Sequence, residues 1–135
     1  MGNRVYDYIE ELRNDYVAAF KRTLNEHPGL PVLKLHELAI ESGARQWYCS
    51  VETALKAIAK LDKGEHDDKL FANPHKRRKY EELRKRVHEL EQNTRASRIE
   101  AVELVIFSPA PSFYMAPRTA RLYYKEYRRI NRKTL

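Results

Sequence analysis

Residues 35–56 read LHELAIESGARQWYCSVETALK, and residues 101–122 read AVELVIFSPAPSFYMAPRTARL. The two stretches align without a gap at an offset of 66, and eight of their 22 aligned pairs are identical. Other pairs exchange similar residues, as Trp47 does with Phe113 and Cys49 with Met115. A repeat of this period is typical of one supersecondary unit used twice along a chain. Positions that agree then indicate a shared fold, and positions that differ indicate function.

The hydrophobic pattern predicts helices along the whole chain, because apolar residues recur at helical spacing and no segment alternates as a strand does. The predicted helices span residues 4–26, 33–42, 51–61, 76–91, 99–108 and 117 onward. Local signals support their ends: Gly43 suits a helix C-terminus, Ser50 an N-cap and Pro117 a first helical turn. Six helices in two sets of three follow from this pattern.

We therefore predict an all-α protein of two tandem three-helix units. The first unit covers residues 1–61, a charged linker with Gly64 and Pro74 covers residues 62–75, and the second unit covers residues 76–135. A chain of 135 residues that is 42% hydrophobic and 33% charged is typical of a globular protein with a buried core.

The formal net charge is +7, and most of the excess lies in the last predicted helix. That helix carries seven cations and one anion, Glu126, and its cations are Arg118, Arg121, Lys125, Arg128, Arg129, Arg132 and Lys133. The corresponding helix of the first copy carries only Lys56 and Lys60 with Glu52. A second basic cluster, residues 75–79 with Arg84, Lys85 and Arg86, is partly offset by Glu81 and Glu82. Its candidate nucleic-acid-binding residues are Lys76, Arg77 and Arg78. Arginine binds phosphate or carboxylate through two parallel hydrogen bonds, which predicts an anionic partner for this helix.

Glu37-Leu38-Ala39 followed by Gly43 places a small residue four positions before a turn glycine. This segment resembles the first helix and turn of the helix-turn-helix family, which implies a second helix that enters the DNA major groove. The sequence departs from that family in a longer connection at residues 44–49 and in Pro109 at the second copy's glycine position. A plain three-helix packing unit is the alternative to this DNA-binding interpretation.

Both copies keep an aromatic pair in the connection after their second helix, Trp47-Tyr48 and Phe113-Tyr114. Such side chains beside basic residues can stack on nucleic-acid bases. Because the pair recurs at the same place in both copies, we favour a structural role that anchors the turn in the helical core.

The turn Ser108-Pro-Ala-Pro-Ser-Phe-Tyr-Met-Ala-Pro117, with the following Ala120 and Tyr123-Tyr124, is similar to small basic proteins of phages and mobile elements of gut bacteria. The similarity covers about 15 residues and implies either a DNA-handling accessory or a part of a larger phage or mobile-element assembly.

No pattern typical of catalysis or of cofactor binding occurs. The histidines lack metal-ligand spacing, the four glycines do not cluster, and Cys49 aligns with Met115 as an apolar filler. No apolar run has the roughly 20 residues of a membrane helix. One cysteine cannot form an internal disulfide, which favours a reducing compartment such as the cytoplasm. The resemblance to phage proteins implies the host cytoplasm or a virion.

The sequence thus predicts a non-enzymatic accessory protein that binds nucleic acid, with DNA favoured, through a basic C-terminal helix and without a cofactor, a metal or a membrane. Its alternative is an oligomeric interaction or structural subunit in which the arginines meet an acidic protein surface, with a homo-oligomer as one form of it.

Overall fold

A computed structural model describes the backbone of residues 3–65 and 69–134, and the side chains of residues 8–65 and 69–131. Over these residues the chain forms six α-helices, one short 3-10 turn and no β-strand, which confirms the predicted all-α class. The helices are α1 (Asn3–Glu26), α2 (Val32–Ile40), α3 (Val51–Asp62), α4 (Pro74–Asn93), α5 (Arg98–Ile106) and α6 (Pro117–Thr134). The 3-10 turn, Lys69–Phe71, lies in the segment predicted as a linker, and residues 66–68 of that segment lie outside the described residues.

Helix starts follow the local capping signals. The Ser50 hydroxyl accepts a hydrogen bond from the Thr53 amide at 3.1 Å, and α6 begins at Pro117, which confirms both predictions. Helix α4 starts earlier than the predicted residue 76, because Asn73 caps it by accepting from the His75 amide at 2.8 Å. A capping box formed by Ser97 and Glu100 begins α5.

Helix α2 ends at Ile40, before the predicted end at residue 42. The Ser42 hydroxyl donates to the Ala39 carbonyl at 2.7 Å, so a side chain satisfies a carbonyl that a continuing helix would have used. Gly43 follows with a positive φ of 100°, a conformation that favours glycine.

Each compact unit combines helices from both sequence copies. The first unit comprises the chain up to Ala44 and from Pro111 onward, and therefore contains α1, α2 and α6. The second unit comprises Arg45–Ala110 and contains α3, α4 and α5. The three helices of each unit pack against one another in pairs. The sequence predicted units at residues 1–61 and 76–135, so α3 was expected with α1 and α2, and α6 with α4 and α5. In the structure these two helices are exchanged: α6 packs with α1 and α2, and α3 packs with α4 and α5.

The core of the first unit is rich in aromatic rings. The Tyr16 and Phe113 rings meet edge to face with centroids 5.4 Å apart, and Phe20 stacks on His36 at 4.3 Å. Aliphatic side chains from α1 and α2, including Val17 and Leu35, fill the remaining space. The core of the second unit is mostly aliphatic and includes the buried aromatic side chains of Trp47, Phe71 and Tyr80. Its largest fully buried side chains are Trp47, Ile58, Leu83, Val87, Val102 and Ile106.

The two aromatic connections share backbone features at the 66-residue offset. Tyr48 and Tyr114 have φ values of 53° and 51°, and they are the non-glycine residues with positive φ in the described part of the chain. The Phe113 amide donates to the Ile40 carbonyl at 2.9 Å in the first unit, and the Trp47 amide donates to the Ile106 carbonyl at 3.1 Å in the second. In each unit the connection that leads into a third helix is therefore bonded to the end of a second helix.

Candidate nucleic-acid interface

One side of α6 is anchored in the first unit by aromatic contacts. Ala120 is buried, and the Tyr124 ring lies 4.7 Å from the Phe20 ring, centroid to centroid. The Lys21 ammonium donates to the Tyr127 hydroxyl at 2.9 Å and holds the pKa of that hydroxyl below its usual value. These contacts determine which side of α6 faces away from the unit.

The exposed side of α6 next to these contacts carries the α6 cation row, which we define as Arg118, Arg121, Lys125 and Arg128. Their spacing places these residues on one helical face, and all four side chains are exposed. They form no ion pair or hydrogen bond with any described residue, although the Arg128 guanidinium lies 6.0 Å from the Tyr124 ring centroid. Four neighbouring cations without a counter-ion are a surface that a polyanion can neutralise.

The other cations predicted on this helix differ in their surroundings. Arg129 is exposed but forms an ion pair with Glu126 on the same helix. The ion pair raises the pKa of the guanidinium and balances its charge within the helix. Arg132 and Lys133 lie within the helix, but their side chains lie outside the described residues. The sequence alone does not show which of Arg128 and Arg129 is available to an anionic partner, whereas the ion pair of Arg129 with Glu126 favours Arg128.

The candidate binding residues of the second predicted cluster, Lys76, Arg77 and Arg78, lie exposed on α4 in the second unit. Two of these three cations pair with carboxylates one turn later: Arg77 with Glu81 at 3.7 Å and Arg78 with Glu82 at 3.3 Å. The cluster is therefore partly neutralised within its own helix, and it offers an anionic partner less unpaired charge than the α6 cation row.

A groove of about 400 Å³ lies beside the start of α6 in the first unit. The residues that line it are Val32, Leu33, His36, Pro117, Arg118 and Arg121. His36 is buried, and its Nδ1 atom lies 2.6 Å from the Tyr16 hydroxyl. Burial, and secondarily the charge of Arg121, lower the pKa of His36, so the imidazole is neutral at physiological pH.

Sequence reasoning missed the role of His36 in this groove. A signal existed, because His36 aligns with the apolar Val102 at the 66-residue offset and therefore occupies an inward-facing position. A histidine on an apolar helix face needs a hydrogen-bond partner, and Tyr16 on α1 is sequentially too distant to be identified from the pattern alone.

The turn aromatics lie in the cores of the units. Trp47, Phe113 and Tyr114 are buried, and Tyr48 is half-buried. The Arg86 guanidinium lies 5.4 Å from the Trp47 ring centroid within the second unit. Rings in these positions cannot stack on bases without leaving the core, so the arrangement favours the structural role over base stacking.

A charged network in the second unit was not predicted from the sequence. Asp62 pairs with Arg84 at 2.6 Å, with His88 at 3.0 Å and with Arg98 at 3.3 Å, and Arg98 also pairs with Glu91 at 2.8 Å. Partial burial alone raises the pKa of Asp62, but the hydrogen bonds from Arg84 and His88 outweigh it and lower the pKa to about 2. Arg84 and His88 also line a groove of about 710 Å³. Both side chains already bind Asp62, so they are less available to a ligand in that groove.

No protein-family model, no curated protein and no solved structure matches this chain. Within the described part of the chain, no three His, Cys, Asp or Glu side chains come together where they could hold a metal ion. None of the helices, over the same residues, combines the length and apolar character needed to cross a membrane. The functional argument therefore rests on the exposed charge of α6 and on the groove beside it.

Proposed function

We propose that this protein binds nucleic acid, with DNA favoured, through the α6 cation row. The observation that carries the proposal is that Arg118, Arg121 and Lys125 are exposed on one face of α6 and have no ion pair among the described residues. Arg128 continues the same face.

Binding would gain free energy from the release of counter-ions that are condensed on the nucleic-acid backbone. Like charges on one helical face repel one another and cost stability, unless a partner neutralises them. Each phosphate contact releases condensed cations, so affinity falls with salt by a logarithmic slope of about −0.9 per contact on duplex DNA. The net charge of +7 adds long-range attraction toward any polyanion.

The position of the cations along α6 suggests a division of roles. Arg118 and Arg121 lie near the start of α6, the end that contacts base edges when a recognition helix enters the major groove. Lys125 and Arg128 lie further along, where phosphate contacts position the helix. The proposal thus gives α6 the role that the second helix has in helix-turn-helix proteins.

The setting we propose is a DNA-handling accessory of a phage or mobile element, acting in the host cytoplasm or carried in a virion. The similarity of the turn at residues 108–117 to basic proteins of such elements supports this setting. A second candidate function, an oligomeric interaction or structural subunit, is favoured by the exposed apolar side chains of Val32 and Leu33 beside Arg118.

The test is fluorescence anisotropy with random-sequence duplex DNA, single-stranded DNA and RNA over a series of salt concentrations. An Arg121→Ala/Arg128→Ala double variant should weaken binding about tenfold or more and reduce the salt slope by about two. The matched control is Arg77→Ala/Arg78→Ala, which removes the same charge from two residues that are paired on α4.

Wild-type protein that ignores all three polyanions at low salt would contradict the proposal outright. Equal losses in the two double variants would show that net charge, and not α6, determines the binding. A clear preference for RNA over duplex DNA would keep the interface and change its ligand.

A further inference from the structure

Helix α5 exposes an acidic and apolar face in the second unit. Glu100, Glu103, Leu104 and Phe107 follow one another at helical spacing and line a shallow depression of about 460 Å³. Leu104 and Phe107 are 62% and 64% exposed, although the other side of the same helix, including Val102, is buried. We call these four residues the α5 acidic face.

The carboxylates of the α5 acidic face are charged and accessible. Glu103 forms no ion pair with a described residue, and Glu100 accepts a hydrogen bond from the Ser97 amide at 3.1 Å. That hydrogen bond lowers the pKa of Glu100, so the group stays anionic at neutral pH. Two anions thus flank two large apolar side chains that remain in water.

The groove of the first unit has the opposite charge and the same mixed character. Val32 and Leu33 form its apolar wall, and each is 59% exposed. Arg118 and Arg121 lie on its other side and have no ion pair within the described residues. We call this site the basic groove. Its volume of about 400 Å³ is sufficient for an aromatic side chain such as that of Phe107.

We propose that copies of this chain associate head to tail, with the α5 acidic face of one molecule docked in the basic groove of the next. Leu104 and Phe107 would cover Val32 and Leu33, while Glu100 and Glu103 would pair with Arg118 and Arg121. Every molecule carries one surface of each kind, so the contact is heterologous and repeats from copy to copy. Such a contact makes an open chain or a ring, according to the rotation between neighbours.

The charges and the apolar areas argue for a second copy as the occupant. Each surface exposes two large apolar side chains, and burying them against each other removes both sets from water. The paired cations and anions also suppress docking of like surfaces, because two basic grooves or two acidic faces repel each other. The chain thus carries both complementary halves of one interface.

This inference rests on the second candidate function, an interaction subunit, and does not require that the protein bind nucleic acid. Lys125 and Arg128 do not line the basic groove, so they stay available to phosphates when the groove is filled. Arg118 and Arg121 serve either ligand, which predicts that nucleic acid and a second copy compete for them.

The test is sedimentation velocity with wild type and two blocked variants over a wide range of protein concentrations. Glu103→Gln/Leu104→Ser weakens the acidic face without reversing its charge and leaves the groove intact. Arg118→Glu/Arg121→Glu reverses the charge of the groove and leaves the acidic face intact. We expect the wild-type mass to rise with concentration, each variant alone to stay monomeric, and an equimolar mixture of the two variants to stop at a dimer. The dimer forms because the first variant supplies the intact groove and the second the intact acidic face.

Two controls keep folding and net charge out of the result. Circular dichroism melts establish that each variant is folded. Lys125→Glu/Arg128→Glu makes the same charge change as the groove variant outside the groove, and it should preserve self-association while it weakens nucleic-acid binding. Glu103→Gln/Leu104→Ser should preserve nucleic-acid binding.

A wild type that remains monomeric at the highest concentration would overturn this proposal, and it would restrict the interaction-subunit function to an acidic surface of a different protein. If wild type associates but the two variants do not form a dimer when mixed, the head-to-tail contact is wrong and the oligomeric function stands. Loss of nucleic-acid binding has no bearing on either outcome.

Discussion

The Tyr16 hydroxyl lies 2.6 Å from Nδ1 of His36, and both side chains are buried in the first unit. Phe20 stacks on the imidazole at 4.3 Å, and the same imidazole lines the basic groove beside Arg121. Desolvation raises the pKa of the Tyr16 hydroxyl and lowers that of His36, so the bond joins two neutral groups. The pair connects the floor of the groove to the core of the unit.

Loss of this bond should destabilise the protein measurably. Tyr16→Phe leaves the His36 nitrogen buried without its partner, and we expect the free energy of unfolding in urea to fall by about 1–3 kcal/mol. The control is Tyr127→Phe, which removes an exposed hydrogen bond from Lys21 and should cost less. Equal losses in the two variants would contradict the importance of burial.

Stability should fall with acid because His36 is held neutral. Its pKa in the folded protein lies below the ordinary value of 6.5, so the unfolded chain takes up a proton first. The stability is complete above pH 6.5 and declines as the pH falls from there toward the folded-state pKa. His36→Gln can accept from Tyr16 without titrating, and its unfolding free energy should change less between pH 7 and pH 5. A parallel decline in both proteins would assign the effect to other groups.

The Asp62 network should act in a lower pH range. The pKa of Asp62 is about 2 in the folded protein against an ordinary value of 3.8, so its contribution is present above pH 3.8 and is lost as the pH falls through about 2. Asp62→Asn should reduce the free energy of unfolding at pH 7 by about 1 kcal/mol, a modest figure because the group is partly exposed. The difference between wild type and variant should vanish near pH 2, and a constant difference would exclude the charge as its cause.

At position 48 a glycine variant should be more stable than an alanine variant, which is the reverse of the usual order. Its φ of 53° lies in the left-handed region, which costs a residue with a Cβ about 1–2 kcal/mol. Tyr48→Ala and Tyr48→Gly lose the same ring, so the glycine variant should be the more stable by about 1 kcal/mol. Thermal unfolding of the two variants measures the difference, and an alanine variant of equal or greater stability would contradict the strained backbone.

Neighbouring arginines on α6 should differ in nucleic-acid binding. Arg128→Ala should weaken binding on all sequences and lower the salt slope by about one, because Arg128 has no ion pair among the described residues. Arg129→Ala should have a smaller effect, since that guanidinium already pairs with Glu126. Arg121→Ala should reduce sequence preference as well as affinity. Equal effects of Arg121→Ala and Arg128→Ala on all sequences would eliminate base recognition by Arg121.

Much of the local structure could be predicted from the sequence, because helices and their ends depend on neighbouring residues. Apolar residues at helical spacing define the helices, and Ser50 and Pro117 begin α3 and α6 through contacts within one turn. Asn73 was assigned to the linker, and its capping of α4 shows why helix boundaries are harder to predict than the helices themselves.

The candidate site was only partly predictable. Charge density along the chain identified the α6 cations. It could not show that Arg129 pairs with Glu126 while Arg128 has no ion pair among the described residues. The groove beside Arg121 was not predicted, since its wall comes from Val32 and Leu33, more than 80 residues earlier in the chain.

The sequence by itself determined the helical class, the amphipathic faces and the basic end of the chain, because these depend on composition and short-range spacing. Only the tertiary structure decided that α6 packs with α1 and α2 while α3 packs with α4 and α5. The physical reason is that an apolar stripe determines which side of a helix is buried but not which partner covers it. That choice depends on the fit of side chains such as Phe20 and Tyr124, which meet only after the chain has folded.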